Sequence, residues 1–343
     1  MLWLRRVGLA LLTVVALGLT VWAAAAIHFD SSAESMRTIG AVLYLVVVLA
    51  GMVFLRRHGV GLLIAVGGFL LVALWWFPLK PSNHRDWQLD NAETAYADIN
   101  GDQITIHNFR NCDYRTEKDY TCNWETRSYD LAKLHEADIF ITWWGSPWIA
   151  HPIVSFDFGN QGHVAMSIET RDEVGQDYSA IRGFFRQYTL TYIASDERDV
   201  IRLRTNYRTD EEVYLFRTTV PPALARKIFL DYLQRANELH AHPEWYNALT
   251  NNCTTNIAVS AAQAQDIHTR LDWRILLNGK MDEMMYEHHA FVTDGLSLSA
   301  LREQAHINPA ARAAGNSPDF SQLIREGRVG FTAKSSAVLN SNK

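Results

Sequence analysis

Of the 343 residues, 48% are apolar and 20% are charged, with a net charge of −5. That average conceals two unlike parts. Residues 1–79 hold only seven charged side chains (Arg5, Arg6, Asp30, Glu34, Arg37, Arg56 and Arg57, net +3), whereas the other 264 carry 27 basic and 35 acidic groups. The first part is too apolar for a soluble domain and the second too polar for lipid, which argues against a wholly soluble enzyme and against a polytopic channel or transporter.

The acidic balance also argues against nucleic acid, whose phosphates need a basic face. Three uncharged apolar runs, Val7–Ile27, Thr38–Leu55 and Val60–Phe77, are each at least 18 residues long. At 1.5 Å per residue, each nearly matches a hydrocarbon core of about 30 Å. Arg5 and Arg6 precede the first run, and Arg56 and Arg57 fill the turn between the second and third. This asymmetry predicts a cytoplasmic N-terminus and places everything after Lys80 outside the cytoplasm. Trp75 and Trp76 form an interfacial pair at the outer end of the third span. A cleaved signal peptide is the other reading of the first run, with Ala23–Ala26 at the cleavage site, although the run is long for one.

The expected organisation is an anchor over residues 1–79, a domain over 80–335 and a polar tail over 336–343. Gln103–His107 alternates like a strand and leads into a polar loop, Asn108–Trp124. Strand-like runs follow at Ala137–Trp144, Ile153–Phe158, His163–Glu169, Gln187–Ala194, Val200–Arg204 and Glu212–Thr218. The turn signal Asn160–Gly162 makes the second and third of these a hairpin. After Pro221-Pro222, Ala223–His240 has apolar residues at helical spacing, and alanine-rich Ile257–Gln265 reads as a second helix. The expected class is α+β, an antiparallel sheet followed by packed helices.

Outside the cytoplasm, disulfides are permitted. Cys112 and Cys122 bracket a short charged segment; a bond between them would stabilise the fold by roughly 2–3 kcal/mol on the chain-entropy view, the alternative being two buried thiols. Cys253 is then the odd cysteine. It follows Asn251-Asn252 and precedes Thr254, all capping types, so it should lie in the first turn of a helix. There the helix dipole favours a thiolate, and backbone N–H groups can hold an oxyanion. The simpler reading is a packed, inert thiol, against which the flanking polar run argues.

A nucleophilic thiolate needs a base. His163 opens the strand His163–Glu169 directly after the turn, and two-residue alternation puts His163, Ala165, Ser167 and Glu169 on one face. Small Ala165 leaves room beside the imidazole, and Ser167 or Glu169 can orient it. The alternative is an ordinary strand-end histidine. His151, twelve residues earlier across the hairpin, is a second candidate, as base or as orienting group.

The order His163-Val-Ala-Met-Ser, then Asn252-Cys253, resembles the permuted papain-like superfamily (NlpC/P60-like), which includes transacylases of the lecithin:retinol acyltransferase type. The segments Tyr246-Asn-Ala-Leu-Thr-Asn-Asn-Cys-Thr-Thr-Asn and Arg274-Ile-Leu-Leu-Asn-Gly are more closely similar to the DUF4105 family of Lnb-type periplasmic domains. The resemblance spans roughly residues 85–330 and leaves the anchor outside. It implies a papain-like domain with Cys253 as nucleophile, His163 as base, no cofactor, a phospholipid acyl donor and a lipoprotein amine acceptor. A third catalytic residue does not map, and Asn252, Ser167, Glu169 and His151 remain the supporting candidates.

His240-Ala-His242 and His288-His289 lack the company and spacing of a zinc site. Arg182, Arg186, Arg198, Arg202 and Arg204 read more simply as a solvated face than as a phosphate site. Three functions stay open: a membrane-anchored thiol acyltransferase, a cysteine amidase or peptidase acting on cell-wall peptide, and a non-catalytic scaffold.

Overall fold

A computed structural model describes residues 2–31, 34–55, 59–265 and 272–331. The Arg56–Arg57 turn and the polar tail fall outside the described residues. The chain divides into two compact units. One comprises Met1–Ser82, Asp177–Thr189 and Glu244–Ala248; the other comprises Asn83–Gln176, Leu190–Pro243 and Leu249–Lys343.

The first unit is built on three mutually packed helices, α1 (Leu2–Asp30), α2 (Glu34–Phe54) and α3 (Val60–Trp76). Two stretches, Arg6–Asp30 and Met36–Phe54, are long and apolar enough to cross a membrane; α3, with 17 residues, is shorter than the span expected there. Small residues mark the seams. Ala16, Ala23, Ala26 and Ala65 are buried between helices, while Leu11, Leu12, Leu43, Leu63 and Leu71 face outward and exposed. In water such a surface would be untenable; in hydrocarbon it costs nothing, and close packing of small residues holds the helices together.

The second unit is an eight-stranded sheet with helices. Its strands are β1 (Tyr96–Asn100), β2 (Gln103–Tyr114), β3 (Tyr120–Asp130), β4 (Glu136–Trp144), β5 (Ala150–Asp157), β6 (His163–Arg171), β7 (Thr189–Ser195) and β8 (Glu211–Arg217). Their order is β1-β2-β7-β6-β5-β4-β8, with β3 on the free side of β2. The class is α+β as expected, but the sheet is mixed, because β2 runs parallel to β7 where Arg110 pairs with Ser195.

Two local expectations fail for identifiable reasons. The polar stretch Asn108–Trp124 is no loop but most of the β2–β3 hairpin, in which Cys112 faces Cys122 and is disulfide-bonded to it. Its polar side chains are matched from within: buried Arg110 donates to Asp199 at 2.8 Å, and Asn108, at φ 53°, takes the left-handed conformation at the register shift. The run Val200–Arg204, with its β-branched start, is not a strand either. Asp196 caps a helix, α4 (Glu197–Arg202), by accepting the Arg198 N–H, and a π turn follows over Leu203–Tyr207. Capping and an acidic first turn outweigh the propensity of Val200 and Ile201.

Further along come α5 (Pro222–Ala241), α6 (Cys253–Gln265), α7 (Met281–Glu287), α8 (Leu298–Ala305), α9 (Asn308–Ala314) and α10 (Phe320–Leu323). Helix α6 packs on β5, β6 and α5. The core beneath β8 gathers Phe140, Ile153, Val213, Leu215 and Ile307.

Candidate active site

Asn252 sets the start of α6. Its side-chain carbonyl accepts the Thr255 N–H at 2.9 Å, and the Thr255 hydroxyl accepts the Asn252 N–H at 2.9 Å, a reciprocal cap that satisfies two backbone donors otherwise left open. Cys253 is therefore the first helical residue. It is 8% exposed and is the chain's free cysteine.

The hairpin register decides which histidine meets it. Asp157 pairs with His163 and Ile153 with Ser167, so the two strands diverge from the turn with His163 at the turn end. Carrying that register on brings His151 level with Glu169, six residues along β5 from Asp157. At about 3.3 Å per residue the two histidines are roughly 20 Å apart, on the same face but at opposite ends. Cys253 is at the His151 end, near enough to the imidazole for the thiol to help raise its pKa. The expected pairing of Cys253 with His163 is thus replaced by one with His151. His163 instead sits 3.7 Å from Asp157, and burial lowers its pKa.

Three more groups orient His151. Its Nε2 lies 2.8 Å from the Ser167 hydroxyl and 3.2 Å from Glu169 Oε1, while Ser167 donates to that same carboxylate at 2.5 Å. Arg204, carried inward by the π turn, donates to Glu169 at 3.0 Å and to Glu211 at 3.0 Å. Arg204 was not anticipated: the arginine run to which it belongs is no solvated face, since Arg202 and Arg204 are both buried. An inserted π turn is a common device for presenting such a residue.

The charges follow from this packing. Burial alone would lower the His151 pKa, but the Glu169 carboxylate and the hydrogen bonds to Cys253 and Glu169 outweigh both burial and Arg204, raising it to about 9. Burial pushes Glu169 up, yet His151 and Arg204 hold it well below the usual carboxylate range. At neutral pH the pair is therefore imidazolium and carboxylate, with the cation beside the sulfur.

Asn278 closes the opposite side. Its side-chain carbonyl accepts the Ala150 N–H at 2.8 Å; its amide donates to Thr254 Oγ1 at 2.8 Å and stands 3.9 Å from Cys253 Sγ. Beside it, Gly279 donates its N–H to Trp148 O at 3.0 Å, and a Cβ at this glycine would fall on the backbone of Pro147, Trp148 and Ile149. The close approach joins two loops that carry exposed apolar side chains, Trp148 and Ile149 on one, Trp273, Leu276 and Leu277 on the other. The Trp148 and Trp273 rings are 6.5 Å apart. A separate polar cleft of about 390 Å³ lies between α5 and α6, lined by Asp231, Arg235, Thr255 and Val259 among others; neither Cys253 nor His151 lines it.

Residues 120–279 match the Lnb N-terminal periplasmic domain family. This is the family the sequence resembles, and the matched stretch contains His151, Ser167, Glu169, Cys253 and Asn278. The match to a periplasmic domain family, together with two helices long and apolar enough to cross a membrane, fits a membrane-anchored periplasmic protein. No curated protein and no solved structure matches the chain.

Proposed function

We propose that the protein is a periplasmic cysteine acyltransferase that takes an acyl chain from phospholipid and passes it to an amine, such as the N-terminus of a lipoprotein. The observation carrying this reading is the grouping of Cys253, His151 and Glu169 at the start of α6, with His151 3.2 Å from Glu169. In the first half-reaction the Cys253 thiolate attacks the ester carbonyl, and its S–C bond forms as the carbonyl becomes an oxyanion. The Asn278 amide and the first N–H groups of α6 are the donors at hand to stabilise it. Collapse breaks the C–O bond, and His151 gives its proton to the departing alkoxide, which leaves as lysophospholipid. In the second half, the amine attacks the thioester, His151 takes the amine proton, and the C–S bond breaks to release the amide and restore the thiolate.

The apolar rim of Trp148, Ile149, Trp273, Leu276 and Leu277 favours a lipid donor over a cell-wall peptide, because exposed side chains of this kind lose little by meeting an acyl chain and much by meeting water. A membrane anchor raises the effective concentration of both donor and acceptor. In this reading the anchor is multi-pass, with a cytoplasmic N-terminus.

Intact-mass measurement tests the reading directly, on wild type, Cys253→Ser and His151→Ala incubated with phospholipid vesicles. The expected result is a hydroxylamine-labile acyl adduct on wild type alone. An unmodified wild type whose thiol alkylates readily would move the assignment to amide or peptide hydrolysis, and an inert thiol would end the catalytic reading.

A further inference from the structure

The segment Asp177–Thr189, which connects β6 to β7, belongs to the helical unit. Its attachment there is specific. Asp30, the last residue of α1, accepts from the Arg186 backbone N–H at 3.1 Å, from Gln187 Nε2 at 2.7 Å and from Trp76 Nε1 at 2.5 Å. Gln187 Nε2 also reaches Phe29 O at 2.7 Å, and Arg186 donates to the carbonyls of Phe77 and Leu79 while lying 4.2 Å from the Trp76 ring centroid. Phe185 is buried against Phe29, with ring centroids 4.9 Å apart, and against Trp22. These contacts fix the segment to α1 and to the C-terminal end of α3, where the apolar helices give way to polar chain.

With Phe185 turned inward, the preceding side chains turn outward. Tyr178, Ile181 and Phe184 are 46%, 64% and 39% exposed, spaced three residues apart around a short 3-10 turn, Arg182–Phe184. The turn is held from behind: Gly183 N–H bonds Ser179 O, Gly183 O accepts the Ala248 N–H, and Gly183 packs on Tyr246. Three large apolar side chains in water on a rigid turn would be costly, at about 25 cal/mol per Å² of apolar surface left wet. They belong to the same unit as exposed Leu74, Trp75 and Phe77, and neighbouring Arg186 is bonded to Phe77 O. The composition is that of a bilayer interface, aromatic rings and an aliphatic anchor with a cation, Arg182, beside them to meet lipid phosphate.

We propose that Asp177–Thr189 is a lipid-contact element, with Tyr178, Ile181 and Phe184 seated in the headgroup and upper acyl layer of the bilayer that the helices cross. The occupant of this surface is lipid, not a second protein. The element is a fourth point of membrane contact, contributed by a loop within the domain rather than by the anchor sequence.

Depth-dependent quenching tests it on the full chain. A single cysteine replaces Ile181, or separately Phe184, in a Cys253→Ser background; the native disulfide stays closed, and the new thiol takes an environment-sensitive fluorophore. The protein is reconstituted into phospholipid nanodiscs containing spin-labelled lipid, with Leu71→Cys, on the outward face of α3, as the membrane-buried reference. Labels at 181 and 184 should lose about half their fluorescence or more to a quencher near the headgroups, and respond weakly to aqueous iodide. Labels quenched by iodide and indifferent to spin-labelled lipid, while position 71 responds normally, would overturn the proposal.

Discussion

His151 Nε2 stands 3.2 Å from Glu169 Oε1, although 18 residues and a hairpin turn separate the two in the chain. The antiparallel register of β5 and β6 makes them neighbours, and Arg204 holds the far side of the carboxylate. These contacts fix the Nε2 edge of the imidazole, and the hairpin register decides that His151, the proposed base, rather than His163 stands at the Cys253 end of the strand pair.

Replacing that base separates the two histidines. His151→Ala should slow acyl-enzyme formation by about 10²–10⁴-fold, the usual range for losing a positioned acid–base group. His163→Ala, at the opposite end of the strand pair, should leave the rate within a few-fold. Single-turnover kinetics with a fluorescent phospholipid checks both; comparable losses in the two variants would contradict the assignment.

The pair also predicts a pH window. Glu169 is held well below its ordinary 4.5, so its contribution to stability is fully present above 4.5 and fades as pH falls toward its folded value. The His151 pKa rises from 6.5 to about 9, so its contribution is fully present below 6.5 and is lost as pH rises through about 9. Both are complete between 4.5 and 6.5. In Glu169→Gln the His151 pKa should fall, moving the alkaline limb of activity to lower pH. A pH–rate profile with an unchanged alkaline limb would show that Glu169 does not set the charge on His151.

Gly279→Ala should damage the site without touching the thiol. The added methyl meets the backbone of Pro147–Ile149, so the two loops must part, and Asn278 moves with them. We expect folding to survive, Cys253 still to react with iodoacetamide, and kcat for acyl transfer to fall about tenfold or more, in line with the cost of misplacing one oxyanion donor. Wild-type turnover in this variant would remove Asn278 from the mechanism.

A second buried charge cluster makes a stability prediction. Arg325 donates to Asp138 at 2.9 Å and to Glu197 at 2.6 Å, and Glu197 also accepts from Ser155 at 2.5 Å, all in the buried region beyond His163. Arg325→Met would leave buried Glu197 without its guanidinium and Asp138 with Arg217 alone, 2.7 Å away, at a cost of about 3–5 kcal/mol. Denaturant titration of the detergent-solubilised protein checks this; a loss under 1 kcal/mol would mean that water or another cation replaces the guanidinium.

Much of this architecture is legible in the chain. The three apolar runs become α1–α3, and the strand-like runs become β4–β8 with ends shifted by at most three residues, apart from Val200–Arg204. Asn252 and Thr255 announce the start of α6, because capping is local chemistry that a sequence displays directly. What stayed hidden is long-range. Arg110 meets Asp199 from 89 residues away, so a strand full of polar side chains looks like a loop until its partner is known. Arg204 reaches Glu169 only because a π turn rotates it inward, and no spacing rule marks that turn. The choice between His151 and His163 hung on register: with Asn160–Gly162 as the whole turn His151 would face Arg171, whereas the observed Asp157–His163 pairing brings it level with Glu169. Position next to a turn is the weaker cue, since Cys253 is at the open end of the hairpin.

The bond between Cys112 and Cys122 leaves Cys253 as the single free thiol in a chain of three cysteines. Under non-reducing conditions every equivalent of a thiol reagent consumed therefore counts one Cys253 side chain. Comparing the rate in the native and the denatured protein then reads how far the fold admits a small electrophile to this sulfur, before any substrate is identified.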